Sequence, residues 1–159
     1  MRKKETAPPD IGEGKRGEEG YLGYLLLQAA NAQRRRMERA LADLAITPPQ
    51  FASLTMIGAY PGLSNAELAR VAVLTPQTTN AIVANLDRMG AIERKPHAVH
   101  GRIVTLTLTS RGRALLGKCR ARVMEVERDL AAGLSPAQAR VVKAWLVTVA
   151  TNERVDQGG

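Results

Sequence analysis

The sequence predicts a mainly α fold: a winged helix-turn-helix, helices plus a β-hairpin wing, set between N- and C-terminal helices that form a dimerisation domain. Three observations predict it. Apolar residues recur at helical spacing in segment after segment from Tyr21 to Val149. Two of these segments, "NAELARVA" and "PQTTNAIVANLDRM", follow one another across a brief "VL" turn. Directly after Gly90 the period falls from about 3.6 residues to two, the pattern of a hairpin.

At 159 residues the chain is one domain's worth of protein. Its start, "MRKKETAPPDIGEGKRGEEG", mixes Gly, Pro and charge without apolar periodicity, so a disordered tail is expected over 1–20. Leu22, Leu25, Leu26 and Ala29, then Met37, Ala40, Leu41 and Leu44, mark one long helix to about Ala45. "TPPQ", with Thr47 as N-cap and Pro48 in the first turn, opens a second helix through Phe51, Leu54 and Ile57 to "AYPG". Ser64 caps the third in the S-x-x-E form with Glu67. Thr75, with Pro76 behind it, caps the fourth, which runs to Gly90 as its stop.

The wing comes next: "AIERK", a turn-like "PHAVHG", then "RIVTLTLT", where Val104, Leu106 and Leu108 alternate with Ile103, Thr105 and Thr107. Thr109 or Ser110 starts a long helix through Leu115, Leu116, Cys119, Val123, Val126 and Leu130. Ser135 with Pro136 starts the last, which carries Val142, Trp145, Leu146 and Val149. The expected division is a tail at 1–20, a helical dimerisation region at 21–46 and 110–153, a winged helix-turn-helix at 47–109, and a flexible C-terminus at 154–159. The two terminal helical stripes lie far apart in sequence and exceed what a small winged-helix core covers, so a second copy of the chain is the expected partner, with Trp145 in that interface. A monomer in which they pack on each other is the alternative.

Charge narrows the function. The chain holds 23 Lys and Arg against 15 Asp and Glu, a net +8. Five basic residues within 1–20 are matched by five acidic ones, so the whole excess belongs to the part expected to fold. Such a basic surface calls for an anionic partner, nucleic acid first. The leader has no apolar core for a signal peptide, and no window approaches the roughly 18 uninterrupted apolar residues of a membrane span, so a cytoplasmic protein with no membrane partner is expected. No nucleophile motif, phosphate loop or metal-ligand set is present, so neither an enzyme nor a cofactor is expected.

The fourth helix carries the sharpest signal. At 100° per residue, Thr79, Ile82, Val83 and Leu86 form one inward stripe, while Gln77, Ala81, Ala84 and Arg88 fall opposite, flanked by Thr78, Asn80 and Asn85. Its exposed front thus shows amides, hydroxyls and methyls, the groups that read base edges in a major groove. The plainer alternative is that Thr75 and Thr78 only cap the helix and that Gln77 and Asn80 are solvated. Between Arg88 and Arg113 the basic residues are Arg88, Arg94, Lys95, Arg102, Arg111 and Arg113, with Glu93 the only acid, which has the look of a phosphate footprint. Candidate DNA contacts are Thr75, Gln77, Thr78, Asn80, Ala81, Arg88, Arg94, Lys95 and Arg102.

These residues resemble the MarR family of bacterial transcription regulators, over about Tyr21 to Val149. The most specific matches are "NAELARVAVLTPQTTNAIVANLDRMGAIERK" and the join "GRIVTLTLTSRGRALL", which looks like that family's wing running into its fifth helix; "GLSP" fits too. The resemblance implies a winged-helix homodimer with intertwined terminal helices, a pseudo-palindromic double-stranded operator, and release of DNA by a small phenolic or lipophilic effector. It also implies base contacts from Gln77, Thr78, Asn80 and Ala81, with Arg102 as the wing arginine and Arg94 closing the first wing strand. Two positions depart from the pattern. His97 and His100 stand where acids are common near the wing arginine, and Ala81 stands where a larger polar or basic side chain is frequent.

His97 and His100 also form H-x-x-H, which offers two zinc nitrogens but lacks further ligands close in sequence, so two exposed loop histidines are expected and no metal. Cys119, the only cysteine, falls among Leu115, Leu116 and Val123 and reads as a small buried hydrophobe. The sequence therefore favours a homodimeric, sequence-specific repressor. The alternative is a basic architectural protein that coats DNA with little sequence preference and no ligand.

Overall fold

A computed structural model describes residues 7–152. Residues 1–6 of the expected tail, and 153–159 with the expected flexible C-terminus, lie outside the described residues. The elements are helix α1 (Leu22–Leu41), α2 (Pro48–Ala59), strand β1 (Leu63–Ser64), α3 (Asn65–Val71), α4 (Pro76–Arg88), β2 (Ile92–Pro96), β3 (Val104–Leu108), α5 (Ser110–Ala131) and α6 (Pro136–Asn152). This is the winged helix-turn-helix with long flanking helices that the sequence predicts.

The helix starts follow from their caps. Thr47 and Gln50 exchange side-chain and backbone bonds at the head of α2, Ser64 and Glu67 do the same at α3, and Thr75 accepts from the Thr78 amide at α4. The Glu67 carboxyl is held below the ordinary carboxylate range, first by the Ser64 amide it accepts from and then by the Ser64 hydroxyl. At α6 the Ser135 amide donates to Gln138 Oε1 at 2.8 Å and the Gln138 amide donates back to Ser135 Oγ at 3.2 Å.

Three features differ from expectation. α1 stops at Leu41, short of Ala45, and a 3-10 turn at Ala42–Leu44 leads to Ala45, whose left-handed φ of 53° ends the helical path. The described part of the 1–20 segment has local structure. A 3-10 turn forms at Gly14–Arg16, the Arg16 guanidinium donates to the Pro9 carbonyl at 2.9 Å, and Gln28 on α1 reaches the Arg16 carbonyl at 3.5 Å. Positive φ at Gly12 and Gly14 permits that reversal. Third, the hairpin is the larger part of a three-stranded antiparallel sheet of order β1-β3-β2, because Leu63 and Ser64 pair with Leu106 and Thr105.

The core gathers Leu41, Leu54, Ile57, Leu68, Leu86 and Leu106, all at 0% exposure, where α1, α2, α3, α4, the sheet and α5 meet. Each such side chain contributes about 1.5–3 kcal/mol by leaving water. α6 differs: none of its side chains is buried. Among the described residues no helix is long and apolar enough to cross a membrane.

The turn between α3 and α4 stores strain. Val73 sits at φ 54°, a left-handed conformation that costs an L residue about 1–2 kcal/mol, and at 86% exposure it gains no packing in return. Val73→Asn, which tolerates that conformation, is expected to raise stability by about 1 kcal/mol in urea unfolding. An unchanged urea midpoint would mean that the turn is unstrained.

Candidate nucleic-acid interface

α4 presents the two faces its periodicity predicts. Thr79, Ile82, Val83 and Leu86 are buried, and the Thr79 hydroxyl donates to the Thr75 carbonyl at 2.9 Å, so this inward polar group is satisfied within the helix. Gln77, Thr78, Asn80, Ala81, Ala84 and Arg88 are exposed along the other side.

The polar front is not uniformly free. The Thr75 hydroxyl donates to Thr78 Oγ1 at 2.9 Å while accepting the Thr78 amide at 3.2 Å, so the capping pair is occupied with itself. Asn65, the first residue of α3, donates from Nδ2 to Asn80 Oδ1 at 2.9 Å. Asn85 is half-buried, and its Oδ1 accepts from Gln50 Nε2 on α2 at 3.0 Å, which ties it to the protein rather than to the open face. The Gln77 amide has no side-chain hydrogen bond among the described residues, and Ala81 presents only a methyl. Sequence periodicity finds the face; the Asn65 and Gln50 contacts join separate helices and leave no local signal.

Strand alternation separates the basic residues. β2 pairs with β3 in the register Ile92↔Leu108, Glu93↔Thr107, Arg94↔Leu106 and Lys95↔Thr105. Arg94 therefore shares the sheet face of Ile92 and Leu106 and reaches Asp87 at the end of α4, at 3.8 Å. Lys95 lies on the opposite face with Glu93, which it contacts at 2.8 Å. The Glu93 carboxyl is pulled below its ordinary range by that hydrogen bond and by the Lys95 charge. Lys95, grouped with Arg94 by sequence, thus points away from α4.

The tip of the wing is a tight turn. The His97 amide donates to the Ile103 carbonyl at 2.7 Å, and the Ile103 amide donates to the His100 carbonyl at 2.8 Å, which places Ile103 in the turn rather than in β3. His97 Nδ1 accepts the amides of Val99 and His100, both at 3.1 Å, and the two imidazoles stack with centroids 5.5 Å apart. The imidazole nitrogen here performs the amide-capping that a short carboxylate performs in Asx-type turns. Arg102 projects from this turn, exposed and with no acidic partner among the described residues.

The join to α5 is knit just as closely. The Thr109 hydroxyl donates to the Gly90 carbonyl at 2.6 Å and accepts the Gly112 amide at 2.9 Å, while the Thr109 amide donates to the Ala91 carbonyl at 3.1 Å. The end of α4 is thereby fastened to the start of α5. Further along α5, Cys119 is fully buried, and that burial pushes its thiol above the ordinary cysteine range.

A sequence profile of the MarR family matches residues 46–103, from the end of α1's turn to the tip of the wing. The HTH-type transcriptional repressor Rv2887 of Mycobacterium tuberculosis is 40% identical over 125 residues, covering 79% of this chain and 90% of that protein. The crystal structure of the same MarR family protein in complex with DNA superposes with a TM-score of 0.68 at 37% identity, covering 82% of this chain and 98% of that one. Its complex with p-aminosalicylic acid gives 0.67 at 37% identity, covering 82% and 99%. With the winged helix-turn-helix in place and that identity sustained over nine-tenths of a known repressor, the chain belongs to the MarR family.

Proposed function

We propose that the protein is a homodimeric transcriptional repressor that binds a pseudo-palindromic double-stranded operator and is released by a small lipophilic effector. The observation that carries this reading is the exposed front of α4, with the Gln77 amide free of internal partners among the described residues, beside a wing that offers Arg94 and Arg102. Rv2887, crystallised with DNA and with p-aminosalicylic acid, supports both halves of it. Two α4 helices would enter successive major grooves about 10 bp apart, with the wings over the flanking minor grooves.

Dimerisation is supported by α6. A 17-residue helix with no buried side chain does not hold itself in water, and Val142, Trp145 and Leu146 line an apolar groove of about 510 Å³ with Leu22, Leu25 and Leu26 of α1. A second copy would bury both. On this reading 21–46 and 110–153 serve dimerisation and 47–109 serves DNA, in a cytoplasmic regulator rather than an enzyme.

The test is binding to the DNA upstream of the protein's own gene, titrated at several salt concentrations with and without excess random duplex. A site that survives the competitor at two chains per site supports the repressor. Equal, steeply salt-dependent affinity for both DNAs favours the architectural alternative. Arg94→Ala is expected to weaken all sequences alike and to reduce the salt slope by about one charge per chain. A loss confined to the specific site would make Arg94 a base reader instead.

A further inference from the structure

The wing tip depends on one side-chain atom. His97 Nδ1 accepts both the Val99 and the His100 amide at 3.1 Å, and apart from the backbone bonds that join His97 to Ile103 and Ile103 to His100 no other hydrogen bond spans the loop among the described residues. Apolar burial adds little here, because Val99 is 78% exposed and Ile103 43%. An acceptor needs its lone pair, so the ring proton lies on Nε2. A proton added at Nδ1 turns that atom from acceptor to donor and sets it against two amide N–H groups, which removes the cap.

The charges around this ring are mostly positive. The loop itself carries Arg102 and His100, whose ring stacks on that of His97 with centroids 5.5 Å apart. β2 carries Glu93, Arg94 and Lys95, with Glu93 held by Lys95 and Arg94 near Asp87 of α4, and β3 has no titratable side chain. From α3 come Arg70 and Glu67, a carboxylate within electrostatic reach of His97 that the Ser64 amide and hydroxyl already hold. A second proton, on His100, sets two like charges against each other in the stack. Histidine is the side chain whose charge ordinarily changes between pH 5 and 8, and the chain has only these two. Cys119 is pushed up and Glu67 and Glu93 are held down, so they stay out of that window.

We propose that His97 is a positioning residue for Arg102 and makes the wing's reading of DNA dependent on pH: unprotonated, Nδ1 holds the turn that presents Arg102, and a proton on the ring lets that turn go. The inference rests on the DNA-binding repressor described above and gives its wing a control that needs no ligand. Arg102 is exposed and has no acidic partner among the described residues, so the fold of the loop fixes where its guanidinium stands. On a slack loop it loses the placement that a narrow minor groove rewards, whereas the charges added to the imidazoles attract every duplex alike. Acid therefore lowers discrimination rather than affinity. A short carboxylate at position 97 would cap the same two amides and stay ionised over the same range.

The first readout needs no DNA. In the full chain the backbone amides of Val99 and His100 are followed by NMR from about pH 7.5 to about pH 5.5 beside the His97 ring nitrogens, and all are expected to shift on one titration curve. The second readout is the ratio of affinities for operator and random duplex at the two ends of that range. It is expected to fall by about fivefold in acid, the size of one lost hydrogen bond, while random duplex binds no more weakly. His97→Asp should keep the neutral ratio and hold it in acid, and His97→Ala should show the low ratio at both ends. Amides of Val99 and His100 that stay still while His97 titrates, a wild-type ratio that does not change with pH, or an acid loss that persists in His97→Asp would each overturn the proposal. Absence of a specific site at neutral pH defeats the repressor instead, and the amide titration still judges the cap.

Discussion

Gly112→Ala lowers the midpoint of thermal unfolding by about 6–12 °C, the expected consequence of roughly 3 kcal/mol of overpacking. A Cβ at Gly112 would stand 1.8 Å from the Ala91 carbonyl oxygen and 2.8 Å from its carbon. These are backbone atoms that no rotamer change can move. The Ala91 carbonyl is itself pinned by the Thr109 amide, and Thr109 is pinned by Gly90 and Gly112, so the contact can open only if the first turn of α5 parts from the end of α4. Operator affinity should therefore fall in the variant even where it remains folded. Gly117→Ala is the control: nothing lies within 4 Å of a Cβ there, and alanine should be neutral or stabilising by about 0.5–1 kcal/mol in that exposed helix interior. A Gly112→Ala protein that melts with the wild type would mean that the α4–α5 junction is looser than its hydrogen bonds describe.

That junction also marks where sequence reasoning stops. The inward stripe of α4 and the caps at Thr47, Ser64 and Thr75 are local patterns, each complete within a few residues, and are legible in the sequence, while for α5 the sequence leaves Thr109 and Ser110 open and the structure selects Thr109. β1 is not legible there, because two residues contain no period. Nor is the end of α1 at Leu41, because the residues that pass into the 3-10 turn, Ala42 to Leu44, continue the helical apolar spacing and include neither Gly nor Pro. Charge groups Arg94 with Lys95 in the sequence, although strand alternation sends adjacent side chains to opposite faces, Arg94 toward Asp87 of α4 and Lys95 toward Glu93. Gly112 looked like an ordinary glycine in a helix start, since its partner is a carbonyl on the far side of the wing.

Gln77→Ala is expected to weaken operator binding by about tenfold to a hundredfold, within the 1–3 kcal/mol of a good bidentate base contact, while leaving random DNA unaffected. Asn80→Ala should cost distinctly less, and the reason is the third helix. Reading adenine with both hydrogen bonds requires a free amide oxygen and a free amide nitrogen on one side chain. Gln77 has both free, whereas Asn80 Oδ1 already accepts from Asn65 Nδ2, which fixes the amide's orientation and occupies one of its oxygen's two lone pairs. Asn65→Ala would release that oxygen, and the two residues should therefore couple: the double variant Asn65→Ala, Asn80→Ala should differ from the sum of its single losses by about 0.5 kcal/mol or more. Binding measured on the operator and on random duplex for all four proteins decides it. Equal losses on both DNAs for Gln77→Ala would remove α4's front from base reading. An Asn80→Ala loss as large as that of Gln77→Ala, with no coupling to Asn65, would mean that the Asn65 contact gives way when DNA arrives.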